Sequence, residues 1–600
     1  LSAHSLRRAA LFAGLLTVVA LAASPSRVMA GGFYLGDRGV RGTGRAGALI
    51  AGADSPDALW YNPAGLAFSG RQLQLDATLV APSLTFARID GGGEPQPTVT
   101  GDGIPLPIPS AFYSDDFGAE HWTFGVGVFA PTALLTKWPD SVVLDGQTEP
   151  APQRYSLLSM AGTALAHVAA GAAWQPLPQL SFGLTAQLVT GAFRIRTTLS
   201  ACDRAICTQP ENPDYDGVTE LDLAPLLGAT FGAGVVYDGG IVRVGASLLT
   251  PYTLSGEATL RVRLPSAAAF DGARVDGDKA STALDFPWIL RAGVEVRPLA
   301  GLRIEAAVVG ELWSRQQSLT ITPKDIWLRD VLALGDYEIG PVSIPRAMRD
   351  TLSLRLGGEY LRGPLGVRAG LAYENGAFDD ATLTPLTLDT DKVTLALGVS
   401  VEVMRGLFLD ASYQHFFMRN RAVRNSAVPQ PNPIRPDPAD PVYVGNGDYE
   451  MEVDTFGVGL RWALDTPTPA AEHGSSESDS EIPASDAELD SSATRRETPT
   501  TAISPEPETE SVTSPSSTSR RTTNTATPRA DEDRDSSPAR DTRRGPRAPR
   551  NPGRVDANPY RVDPNPYRRE PAAAPPATRP TRDEAPAANP YRPRRNRRPR

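Results

Sequence analysis

Few residues in this 600-residue chain are placed to do chemistry. Gly42, Gly44 and Gly47 have the Gly-x-Gly-x-x-Gly spacing of a dinucleotide-binding loop. Such a loop cradles a pyrophosphate only when it follows a strand and opens a helix within a βαβ unit. Neither context is predicted here, so nucleotide binding is set aside. Cys202 and Cys207 are the two cysteines, and in an oxidising compartment they can close a small loop as a disulfide. Metal binding needs more ligands than that segment offers. The five histidines are scattered, and His121, His167 and His415 stand alone in predicted strands. No metal or cofactor is expected. Asp379-Asp380 falls in a predicted loop, where a solvated or cation-bridged role outweighs catalysis. The chain shows no Gly-x-Ser-x-Gly elbow, His-Glu-x-x-His helix or Walker loop, and reads as a non-enzyme.

The elements that would position these residues are strands. From 71 to 464 apolar and polar residues alternate in segments of roughly ten or more, the dyad period of a strand with unlike faces. Leu180, Phe182, Leu184, Ala186 and Leu188 share one face, with Ser181, Gly183, Thr185 and Gln187 on the other. About fourteen segments read this way: 71–90, 108–116, 121–130, 155–175, 179–198, 223–238, 241–263, 283–298, 301–321, 346–362, 364–376, 390–404, 406–418 and 449–464. Short connections such as 237–240, 362–364 and 404–406 alternate with long ones such as 131–153, 323–345 and 419–448. Short turns at one end and long loops at the other mark a transmembrane barrel. The last strand, Thr455 to Leu464, sets Phe456, Val458, Leu460 and Trp462 toward lipid and Gly457, Gly459 and Arg461 toward the lumen, the kind of terminal strand that barrel-assembly machinery reads. By parity, Arg243, Arg291, Glu295, Arg303, Glu305, Arg355, Glu359 and Arg368 face the lumen. Fourteen strands enclose more space than side chains fill in an eight-stranded barrel, so something must plug it.

The two ends differ from this middle. Arg7-Arg8, an apolar run from Ala9 to Ala23 and Val28-Met29-Ala30 read as a signal peptide over 1–30. After it, no run is long and apolar enough for a helical span. From 465 to 600 the chain is rich in Ser, Thr and Pro, then in Arg and Pro, and nothing there can bury a core. It is expected to be disordered. The net charge of −10 conceals an asymmetry: sixteen arginines against six acids between Asp541 and Arg600. Asn-Pro-Tyr-Arg recurs at 558–561, 565–568 and 589–592, too few copies for a solenoid.

Residues 31–70 precede the first strand without alternating. Gly31-Gly-Phe33, Gly42-Thr-Gly-Arg-Ala-Gly47 and Asn62-Pro63-Ala64 resemble the N-terminal hatch of the long-chain fatty acid and aromatic hydrocarbon outer-membrane transporters, the FadL/TodX family. Gly125-Val-Gly-Val-Phe-Ala-Pro131, Trp313 in mid-strand and Arg368-Ala-Gly-Leu-Ala-Tyr373 extend the likeness, which covers 31–464. The resemblance implies an all-β, fourteen-stranded antiparallel transmembrane barrel with its lumen closed by the hatch. It implies passive transfer of long-chain fatty acids or similar hydrophobic compounds, which leave through a wall gap next to Asn62-Pro63-Ala64. Gly42, Gly44 and Gly47 then belong to the hatch. Arg291, Arg303 and Arg355 are the candidates to hold a carboxylate head group, although a ladder of Arg–Glu pairs bracing neighbouring strands is the favoured account of them.

The expected layout is therefore a signal peptide (1–30), a hatch (31–70), a barrel (71–464) and a periplasmic tail (465–600). Outer-membrane lipid, lipopolysaccharide and the barrel-assembly machinery are the expected surroundings. Nucleic acid is not an expected partner. The tail is a candidate to grip an anionic periplasmic polymer or protein. The rival reading is a structural or adhesive barrel that tethers envelope layers through its loops and basic tail.

Overall fold

The computed structural model describes residues 34–464 apart from 105–106, 131, 134–135, 204–205 and 436–439. The expected signal peptide, Gly31-Gly-Phe33, Pro131 and the tail with its Asn-Pro-Tyr-Arg copies lie outside the described residues. Fourteen antiparallel spans form one closed wall. They are β1 (Gln72–Ile89), β2 (Pro95–Gly103, then Ile108–Asp115), β3 (Trp122–Phe129), β4 (Ala164–Leu177), β5 (Leu180–Ser200), β6 (Asp216–Asp238) and β7 (Val242–Leu249, then Tyr252–Arg263). There follow β8 (Lys279–Phe286, then Ile289–Leu299), β9 (Leu302–Glu311, then Ser318–Lys324), β10 (Val342–Pro345, then Thr351–Arg362), β11 (Leu365–Glu374), β12 (Lys392–Met404), β13 (Leu407–Met418) and β14 (Gly447–Ala463). Closure comes from β1 against β14, in register from Gln72 opposite Ala463 to Arg88 opposite Gly447. A closed wall leaves no edge strand unpaired, which hydrocarbon requires.

Alternation sets which face is wet. Along β3, Trp122, Phe124, Val126 and Val128 are exposed while the residues between them are buried. The same holds for Leu184 and Leu188 on β5, Leu395 and Leu397 on β12, and Phe456 and Val458 on β14. These outward side chains form the lipid-facing band. Near the short turns it ends in rings, Trp122 beside Trp174 and Trp174 beside Phe182, the amphipathic residues favoured at a membrane interface. The turns are tight because glycine takes positive φ there: Gly363 at 57° and Gly406 at 75°.

Two expectations about the strands need correction. Trp313 is not in mid-strand. β9 stops at Glu311, and Trp313–Arg315 is a single 3-10 turn before the strand resumes at Ser318. The turn carries the indole inward, where it is buried, meets Phe286 at 6.1 Å and donates to Glu311 Oε2 at 2.7 Å. The segment read as a strand from 155 begins only at Ala164. Before it, Tyr155 and Arg154 fold inward to bond Asp216, at 2.6 and 2.7 Å. The long loops also contain more strand than their polarity suggests, for β2, β6, β9 and β10 run on into them.

Candidate functional site

The lumen is occupied by the segment before β1. From Asp37 to Leu66 all but Asp54 are buried. Small residues and two single helical turns, Val40–Thr43 and Ala58–Tyr61, let this chain coil tightly. Asn62 has extended backbone and caps the next turn, its Oδ1 accepting from the Ala64 N–H at 3.2 Å, with Pro63 at the first helical position. Leu49, Ile50, Leu59, Trp60, Tyr61 and Leu66 make one apolar cluster with Phe112, Phe129, Leu249 and Ile289 of the wall.

Charge locks this segment to the wall. Glu305 of β9 is fully buried and accepts three consecutive backbone N–H groups, from Ile50 (2.6 Å), Ala51 (2.9 Å) and Gly52 (2.9 Å). Arg45, also fully buried, reaches Glu295 at 3.1 Å and Glu305 at 3.4 Å. Arg41 pairs with Asp54 and with Glu359, the latter at 2.8 Å. Asp54 also receives Arg303 at 2.6 Å, and Asp37 pairs with Arg355. Burial alone would raise the Asp54 carboxyl, but Arg303 and Arg41 outweigh it and hold the group well below the usual carboxylate range. Wall-to-wall pairs complete the layer: Arg303 with Glu295 (3.0 Å) and Arg368 with Glu359 (2.9 Å) and Asp410 (2.9 Å). Arg243 forms an ion pair with Asp238 at 3.2 Å.

The parity assignment of lumen charges therefore holds, but several of their partners come from the N-terminal segment. Of the head-group candidates, Arg303 and Arg355 are engaged by Asp54 and Asp37, and Arg303 also donates to the Gly52 carbonyl at 2.7 Å. Arg291 lies over the Trp60 ring, 4.8 Å from its centre. Periodicity could not disclose Asp37, Arg41, Arg45 and Asp54. The available signal was six charges, these four together with Arg38 and Asp57, in a segment otherwise rich in small and apolar residues.

Glycines make this fit possible. Gly47 has φ +70°, and a Cβ there would come within 1.8 Å of Arg355 Nη1. At Gly42 a Cβ would strike the Tyr61 hydroxyl, and at Gly44 it would crowd the backbone of Gly398. The Asn62-Pro63-Ala64 turn presses on the wall at two more glycines. A Cβ on Gly183 would meet the Ala64 nitrogen at 2.2 Å, and one on Gly234 would meet Asn62 Oδ1 at 2.0 Å. Asn62 Nδ2 donates to the carbonyls of Ile50 (3.1 Å) and Val235 (3.2 Å).

The β5–β6 ladder beside this turn is unbroken from Leu180 opposite Tyr237 to Gly191 opposite Leu226. Among the described residues the wall ladder stops elsewhere. β3 ends at Phe129, opposite His167 of β4 and Ser110 of β2. Thr132–Ala133 then leaves the wall sheet and pairs with Tyr34–Leu35, and the chain rejoins the wall only at Thr136–Lys137, against Gly103 and Asp102. The interruption adjoins Trp60, whose ring meets that of Phe129 at 5.8 Å.

The other singled-out residues lie apart from this layer. Cys202 and Cys207 are joined in a disulfide. Asp379 and Asp380 pair separately with Arg349 and Arg421. His167 faces the lumen and bonds Gln187 at 2.9 Å, whereas His121 precedes β3 and His415 bonds Asp454 at 2.8 Å. No cluster of three metal-ligating side chains occurs among the described residues.

A closed fourteen-span wall with a charged, glycine-fitted N-terminal segment can be compared with known proteins. Residues 19–453 match the family described as outer membrane protein transport protein (OMPP1/FadL/TodX). The chain belongs to this family. It is an outer-membrane channel of the FadL/TodX type for hydrophobic substrates, and not an enzyme. In fold it is similar to a Pseudomonas aeruginosa FadL homologue, with a TM-score of 0.58 and 17% identity over 72% of this chain and 99% of that one. It is also similar to the toluene transporter TodX of P. putida, with a TM-score of 0.51 and 16% identity over 72% of this chain and 100% of that one. No curated protein matches the chain.

Proposed function

We propose that this channel takes up long-chain fatty acids or similar hydrophobic compounds passively. Residues 31–70 act as a hatch, and cargo leaves sideways into the bilayer. The observation that carries this reading is the interrupted wall after Phe129, where the two-residue pairing of Tyr34–Leu35 with Thr132–Ala133 joins the hatch to the break. Lateral release suits a greasy solute, which gains about 25 cal/mol for each Å² of apolar surface kept from water. The continuous β5–β6 ladder beside Asn62-Pro63-Ala64 favours an exit at β3 over one beside that turn. A close variant carries aromatic hydrocarbons, the class to which the toluene of the similar transporter belongs.

Arg291, Arg303 and Arg355 are proposed to meet an anionic head group as Asp37 and Asp54 withdraw. Neutralising all three should weaken laurate or oleate uptake by proteoliposomes, and unchanged uptake would remove them from the path. A cysteine pair at Leu35 and Thr132 tests the exit. Oxidised, it should abolish uptake that returns on reduction; uptake indifferent to the cross-link would refute lateral release at β3.

One observation favours the second reading, a structural or adhesive barrel. The cavity beside Trp60 measures about 10 Å³, room for one water. Under that reading no hydrophobic solute enters proteoliposomes at all. We further propose that the tail lies in the periplasm and grips an anionic polymer or a protein there. Cross-linking from the tail in intact cells should recover that partner.

A further inference from the structure

Trp60 belongs to the N-terminal segment and not to the wall. Its indole N–H donates to the Gly36 carbonyl at 3.0 Å, within the same segment. Four groups address its ring. Phe129 meets it edge to face at 5.8 Å and 68°, and His167 at 6.0 Å and 82°. The guanidinium carbons of Arg38 and Arg291 lie 4.7 and 4.8 Å from its centre. These contacts depend on the quadrupole of an aromatic ring, which an alkyl chain lacks.

Behind Trp60 the wall continues in rings. Phe129 stacks on Phe112 at 5.3 Å and on His167 at 5.2 Å. His167 meets Tyr252 at 6.1 Å, and Tyr252 stacks on Phe286 at 4.6 Å and 2°. A track of aromatic side chains therefore crosses β2, β3, β4, β7 and β8 on the lumen side. Trp60 seats a ring from a different element against this track, next to the interruption in the wall. Only about 10 Å³ is left between Trp60, His167, Tyr252 and Phe286, so the indole already fills the place.

We propose that Trp60 is a resident stand-in for an aromatic carboxylate, whose ring replaces the indole against Phe129 and His167. The two guanidinium groups hold its carboxylate by charge-assisted hydrogen bonds. A neutral ring would keep the cation–π contacts and lose those bonds. An alkyl carboxylate would keep the bonds and lose the ring contacts. This assignment deepens the uptake reading and rests on it only for the movement of the segment.

Calorimetric titration of the full-length protein in detergent, with 4-hexylbenzoate, laurate and butylbenzene as probes, tests the site. Wild type should bind 4-hexylbenzoate at least tenfold more tightly than either other probe. Trp60→Leu removes the internal competitor and should tighten all three probes by about the same factor, about fivefold, so that the preference for 4-hexylbenzoate remains. Trp60→Phe should behave as wild type. Arg291→Leu should weaken 4-hexylbenzoate about tenfold and leave butylbenzene within twofold. Equal affinity of wild type for the three probes, or no tightening of 4-hexylbenzoate in Trp60→Leu, would overturn the proposal. Heat-modified gel mobility confirms that each variant keeps its barrel. Uptake by proteoliposomes separates the two ideas: laurate entry without ring preference sinks this inference alone, and ring-selective binding without entry of any probe sinks the transport reading alone.

Discussion

Glu305 offers the sharpest perturbation of the hatch. Its carboxylate is the common acceptor of the Ile50, Ala51 and Gly52 amides and a partner of Arg45. In Glu305→Ala those three donors stay buried as long as the segment stays seated, and each orphaned donor costs about 1–3 kcal/mol. The seated state therefore loses between about 3 and 9 kcal/mol, less whatever water recovers by entering the vacated space. Arg45 keeps Glu295, so its own charge is not abandoned. At about 1.4 kcal/mol for each factor of ten, the lower bound is already a hundredfold rise in the open fraction. Glu305→Gln keeps one carbonyl acceptor and should fall between the two.

The loss is confined to the segment, because the β9 ladder with β8 and β10 is made of backbone bonds that the side chain does not enter. Hydrogen exchange followed by mass spectrometry separates the two regions. Peptides spanning 45–62 should exchange about a hundredfold faster in Glu305→Ala, with β8 to β10 unchanged, and heat-modified mobility should remain that of a folded barrel. Wild-type protection at Ile50 to Gly52 in that variant would refute the reasoning, since it would mean that the carboxylate does not hold the segment.

Three further outcomes are expected. Gly234→Ala places a methyl within 2.0 Å of Asn62 Oδ1, so peptides over 58–66 should lose protection; Gly340→Ala, where a Cβ meets nothing within 4 Å, is the control. Cys202→Ser should make residues 200–215 more sensitive to limited proteolysis without altering barrel mobility, because the bridge closes only a five-residue separation. In the loop after β11, burial pushes the Asp389 carboxyl up to about 7, because the single Lys392 ammonium is shared with Glu374. A raised carboxylate pKa means that the folded loop binds a proton the open loop releases, so its stability is complete at about pH 4 and declines as pH rises through 7. Limited proteolysis over 375–391 should then be faster at pH 8 than at pH 5, and Asp389→Asn should flatten the difference.

The barrel was largely legible because a strand with unlike faces writes its period directly into the sequence. β5, β12 and β14 can be assigned face by face, and the lumen charges follow from parity alone. Trp313 escaped because period two cannot distinguish an inward strand residue from a residue in a turn that also points inward. The Asn62-Pro63-Ala64 turn was found, but its neighbour was not: which wall glycines receive it depends on how a non-periodic segment coils. Cys202 and Cys207 were readable because six residues of chain bring two thiols together with little choice of partner.

The seat of the N-terminal segment constrains which cargo can open it. Asp37, Arg41, Arg45 and Asp54 each have a partner on the wall. Buried pairs of this kind add little net stability, because desolvation offsets their attraction, yet removing one partner costs about 3–5 kcal/mol. A purely apolar solute offers nothing to replace a lost partner and must move the segment against that cost. An anionic amphiphile can supply its own carboxylate to Arg355 or Arg303 as Asp37 or Asp54 leaves, so no guanidinium is stranded. The lock is therefore selective by charge although the passage is selective by hydrophobicity. On that argument laurate should enter proteoliposomes faster than dodecane of the same chain length. Asp54→Asn, which weakens the lock while sparing the passage, should narrow the difference by speeding dodecane. A dodecane rate indifferent to Asp54 would show that this ion pair does not set the barrier to entry.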